Sequence, residues 1–204
     1  MRMLRELTFV AALVSAAMGS VSAQQGETVP TAADSGAYAT LLARVLAGDT
    51  TADFTTFRLL AAKLHPSPEH GPTPAEQLAR ALAAPDSLSA RAHIDSVLQV
   101  YGGHIQAHID AAHLYQQRGD STRARREDAI VRAFIASIGA NGGLTLETAM
   151  PVTNLAEEYA FLAARGVRRD KQELIFCGDG RCDALTGVDP QTGAPVTYYF
   201  RLLW

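Results

Sequence analysis

Three features of the 204-residue sequence predict an α+β fold. Apolar residues recur at helical spacing from Asp34 to Ile138, in segments broken by glycine, proline or short Asp-containing turns. Beyond Gly139 the text turns to glycine and β-branched residues, "GANGGLTLETAMPVTN". From Glu173 the apolar and aromatic residues gather in short runs parted by turn residues, as in "ELIF", "CDALTGV" and "VTYYFRLLW". The expected architecture is about six helices paired as hairpins over residues 34–138, then a small C-terminal unit over 139–204 holding one helix and an antiparallel β-meander packed on them.

Before the fold comes a leader. Arg2 and Arg5 open the chain, Leu7 to Met18 is largely apolar, and Val21-Ser22-Ala23 supplies small residues, the pattern of a signal peptide over 1–23 cleaved after Ala23. Its apolar run is shorter than the roughly 20 residues a spanning helix needs. No cysteine lies near the cut to take a lipid. Removing the leader takes Arg2, Arg5 and Glu6 from 18 basic and 21 acidic residues, leaving 16 and 20 and a net charge of −4. That balance argues against a nucleic-acid partner, and no later segment is long and apolar enough to span a membrane. An exported, soluble protein, periplasmic or secreted, is the expectation.

Residues 24–33 lack periodicity and read as a flexible tether. Tyr38, Leu41, Leu42, Val45 and Leu46 share one helical face, with Gly48 as a stop; Phe54, Phe57, Ala61 and Leu64 repeat the pattern until Pro66. Thr73 and Glu76 fit a capping box around Pro74, opening a helix through Leu78 and Leu82 to Pro85. Asp86 caps the next, which carries Ala90, Ile94, Leu98 and Tyr101. From about His104 follow Ala107, Ala111, Leu114 and Tyr115, with a stop at Gly119; the partner helix holds Ala124, Ile130, Val131, Phe134 and Ile138. A short strand is expected near Ala149 to Val152. Asn154 and Glu157 then cap a helix with Tyr159, Leu162 and Ala163 on one face, ended by Gly166.

The inter-helix turns starting at Asp49, Asp86 and Asp120 resemble one another, at spacings of 37 and 34 residues. Periods of that size belong to stacked helix hairpins, and "AHLYQQRGDSTRARR" resembles a tetratricopeptide repeat. An irregular helical bundle with recurring acidic caps is the alternative. A second resemblance rests on Asp53-Phe54-x-x-Phe57-Arg58, "GGLTLETA" at 142–149, Glu157-Glu158-Tyr159, Gln172 with Leu174, "CDAL" at 182–185 and "YYF" at 198–200. In that order these are similar to the domain of unknown function 4919 family, across most of the exported chain. The match departs at Asn141-Gly142-Gly143, where the family has Gly-Asp-Gly, and at Cys182, where it has tyrosine. The resemblance implies an exported protein of helices followed by a small α+β tail, and implies no activity.

Candidate chemistry is sparse. On a helix His104 and His108 would project from one face, at the spacing of a zinc pair, but His113 is turned away and a third ligand is lacking; packing at a hairpin interface is the plainer reading. Cys177 and Cys182, the only cysteines, flank "GDGR", a loop of ordinary hairpin length. In an oxidising compartment they are expected to form a disulfide worth about 2 kcal/mol, with free thiols or a redox or metal role as alternatives. Glu157 and Glu158 invite an acid–base reading, yet neighbours on a helix point about 100° apart, so a carboxyl pair would need a partner from elsewhere. First-turn acids facing the helix dipole are expected instead, with Tyr159 a core aromatic whose hydroxyl lies at the rim. Asp179, Asp183 and Asp189 lack calcium-loop spacing. No nucleophile elbow, phosphate loop or zinc-protease helix is present, so no catalytic residue or cofactor is assigned. A non-catalytic module whose hairpins present a groove to a protein or peptide is the leading expectation. An envelope hydrolase with a pocket between helices and sheet, or a histidine-based metal binder, is the alternative.

Overall fold

The structure, a computed structural model, describes residues 29–65, 74–84, 86–178 and 180–203. The leader with its cut after Ala23, the tether through residue 28, Thr73 and Asp179 lie outside the described residues.

Seven helices precede or flank a four-stranded sheet among those residues. Helix α1 (Ala32–Leu46) opens with a capping box in which Thr31 accepts from the Asp34 N–H and Asp34 accepts from the Thr31 N–H at 2.7 Å. Helix therefore begins before Asp34, inside the stretch expected to be tether. Helices α2 (Phe54–Leu64), α4 (Ser87–Tyr101) and α6 (Ser121–Ile138) are capped by Asp53, Asp86 and Asp120, each carboxylate accepting an N–H from three residues on. Asp49 has a different task, holding Thr51 and Arg44 in the preceding turn. Counted by true caps the spacing is 33 and then 34 residues, more regular than the turns had shown.

Helices α3 (Pro74–Leu82) and α5 (Ile105–Gln117) complete the hairpins. The α3–α4 and α5–α6 pairs stack through α3 and α4 on α5, while the α1–α2 pair lies across them, α1 on α4 and α2 on α6. Gly103 permits part of this crossing, because a Cβ there would stand 2.2 Å from that of Ala61.

Strand β1 (Met150–Val152), helix α7 (Leu155–Ala164) and strands β2 (Arg168–Cys177), β3 (Gly180–Val188) and β4 (Pro195–Leu202) form the C-terminal unit. The sheet order is β1-β4-β3-β2; β2, β3 and β4 are an antiparallel meander and β1 joins β4 in parallel. One apolar core runs through both halves: Phe54, Phe57, Phe134 and Ile138 from the hairpins meet Met150, Phe161, Leu185 and Phe200.

Strand β2 begins five residues before the expected Glu173, because "RRDKQ" is an exposed edge with β3 as its neighbour. A bulge follows Arg169, and opposite it Gly187 has no room for a side chain: a Cβ would lie 2.3 Å from the main-chain oxygen of Arg168. The β2–β3 turn is also tighter than expected. Cys177 pairs with Gly180, so two residues separate the strands rather than four. Cys182 lies opposite Ile175, which makes the cysteines diagonal neighbours on one face. Their Cα atoms are 5.8 Å apart and their sulfurs at disulfide distance.

A candidate functional site between α2, α7 and the sheet

Helix α7 turns inward the residues the sequence placed at its polar start. Glu157, Glu158, Phe161 and Leu162 are buried, whereas Tyr159 is 40% exposed and Ala163 lies outside. The expected face was therefore wrong by a third of a turn. Glu157 and Phe161, like Glu158 and Leu162, are four residues apart and share a side, so the apolar pair carries the acids in with it. That spacing was the available signal, masked by the habit of counting glutamate as solvated.

Glu157 meets Arg58 of α2. The guanidinium donates to the Glu157 carboxylate at 2.6 Å and to the Pro151 carbonyl at 2.9 Å, and the Thr153 N–H donates to the same carboxylate at 2.8 Å. Burial raises the Glu157 pKa, opposed by Arg58 and Thr153, and lowers that of Arg58, opposed by Glu157. Two segments of the family resemblance, around Arg58 and around Glu157, thus come together as an ion pair.

Glu158 faces the other way, toward β3. No donor among the described residues reaches either of its oxygens, and its polar neighbour is the Asp183 carboxylate, itself an acceptor. Burial pushes Glu158 up to about 8, the adjacent Asp183 adds to the rise and Arg169 opposes it. The contact is satisfied when Glu158 keeps its proton and donates it to Asp183. Asp183 also accepts from the Gln172 amide. The Gln172 carbonyl in turn accepts from Tyr159 O–H at 3.1 Å and Arg169 at 2.6 Å, and Arg169 lies 4.6 Å over the Tyr159 ring. Tyr159 is thus part of a polar cover over the acid pair rather than a core aromatic. The arrangement can hold a proton and release it near neutrality. With Glu158 fully buried and Asp183 4% exposed, no substrate reaches either oxygen in this conformation.

The histidine pair is disposed otherwise. His104 is the N-cap residue of α5 and lies against the Tyr101 ring; burial, then the neighbouring His65, lowers its pKa. His108, one turn on, is fully buried with Nδ1 2.7 Å from Glu127 and Nε2 2.8 Å from the Gly102 carbonyl. Both ring nitrogens face acceptors, so a metal would have to displace one. Burial would raise Glu127, but hydrogen bonds from His108 and Arg126 bring it below its ordinary value. No group of three or more potential metal ligands occurs among the described residues. A cleft of about 240 Å³ lies between Leu46, Asp95, Leu98, Gln99, Arg123 and Arg126. Its arginines are engaged, Arg123 with Asp95 at 3.1 Å and Arg126 with Glu127 at 2.7 Å.

Among the described residues β2 is one edge of the sheet. Leu174 is 59% and Phe176 86% exposed at its far end, beyond the cover formed by Tyr159 and Arg169. No family model, curated protein or solved structure matches the chain.

Proposed function

We propose that this chain is an exported, non-catalytic protein-interaction module of the domain of unknown function 4919 kind, in which tetratricopeptide-like hairpins support a sheet edge that binds an extended segment. The observation that carries this reading is β2, a ten-residue edge strand whose end exposes Leu174 and Phe176. An edge offers main-chain donors and acceptors, and the flanking side chains add selectivity. The cap spacing of 33 and 34 residues supports the hairpin repeat. Export to the periplasm or beyond is supported by the leader pattern and by the cysteine pair. No described helix is long and apolar enough to cross a membrane.

Capture from envelope extract tests the reading. Tagged protein should retain specific partners that the Leu174→Ser/Phe176→Ser variant, folded by circular dichroism, releases. Equal retention by both forms overturns it, as does retention by neither from a chain that does not self-associate through this edge.

A further inference from the structure

The edge strand carries its own complement. Cys177 and Gly180 flank a two-residue connection, which makes them the hydrogen-bonded closing pair of the hairpin. By alternation, Ile175 and Glu173 direct their main-chain groups to β3, and those of Phe176, Leu174 and Gln172 face outward. Gln172 sits between Lys171 and Glu173, which are 62% and 51% exposed and bridge each other at 2.8 Å.

Resting on the reading of β2 as the binding edge, we infer that its occupant is a second copy of this chain, paired antiparallel about Gln172 to make one continuous eight-stranded sheet. The argument is charge complementarity. Turned on itself about Gln172, the strand sets Lys171 of each copy opposite Glu173 of the other, twice by symmetry, with both side chains on one face. Centring on Leu174 instead puts Glu173 against Ile175 and loses both pairs. Centring on Asp170 sets Lys171 against Arg169. The same charges that discourage a foreign strand therefore select this register. Phe176 then falls opposite Arg168 of the second strand, whose aliphatic stem covers it, and Leu174 falls opposite Asp170 at the bulge. In a twofold perpendicular to the sheet, the helices of both copies lie on the same side.

Sedimentation equilibrium of the exported chain tests the pairing. The wild type should show a concentration-dependent dimer. Glu173→Lys, which turns both cross pairs into like charges, should weaken it about tenfold, and Lys171→Glu similarly. The double exchange Lys171→Glu/Glu173→Lys should restore it, which a folding defect would not allow. A monomer at every concentration, or a dimer indifferent to the single changes, overturns the inference. A monomer that still captures partners through Leu174 and Phe176 leaves the edge-binding reading standing, whereas one that captures nothing removes both.

Discussion

Glu158 holds a proton in the folded chain that it gives up in the unfolded one. Its ordinary value is 4.5 and the folded value about 8. Between those limits the native state binds more protons, so stability must fall as pH rises. The contribution is complete below pH 4.5, declines across the window and is gone above about 8, with a size on the order of a few kcal/mol. Urea midpoints from pH 4.5 to 9 should show this decline, and Glu158→Gln, which keeps a donor toward Asp183 without a titrating proton, should flatten it. An unchanged pH profile in that variant would place the dependence elsewhere. The Arg58–Glu157 pair predicts a different pattern. Arg58→Leu leaves a buried carboxylate without its cation and should cost about 3–5 kcal/mol, while Arg58→Leu/Glu157→Leu should recover much of the loss. Additive losses in the double variant would show that the two residues do not act as a pair.

Strand β2 is held in place at two points, its bulge and its turn. Gly187→Ala would drive a methyl group into the main chain of Arg168 and should destabilise by about 1–3 kcal/mol, read as an earlier thermal midpoint. At the other end, non-reducing mass spectrometry of exported protein should find two hydrogens missing, and reduction should cost about 2 kcal/mol; two free thiols would contradict the expectation. The elements were legible where local chemistry marks them. Asp86, Asp120 and Asn154 signal helix starts through their side chains, and Gly166 an end. The start of β2 was hidden because an edge strand solvated on both faces has no alternation to read. In α7 the periodicity was present, but its acids concealed which face was buried. Of the site, Arg58 and Gln172 were singled out by resemblance alone, whereas Glu157 and Asp183 also stood out by their own chemistry, as a helix-start acid and a turn residue. That they meet depends on α2 crossing onto α6 and on β3 lying beneath α7, which no local pattern encodes.

At the scale of the whole molecule, the apolar core crosses from the hairpins into the sheet without a gap. Calorimetry should therefore record one cooperative transition rather than separate events for 34–138 and 139–204, and two resolved transitions would show the halves to be independent. The ion pair inside that core joins positions 99 apart. A ribosome delivers α2 long before α7, and until α7 arrives the guanidinium of Arg58 has no anion to justify its burial. The packing around Arg58 is therefore expected to close only once the last third of the chain has been made. Contacts of such long range slow folding, and a polypeptide that delays is one that can still be threaded through a narrow channel before it closes on itself.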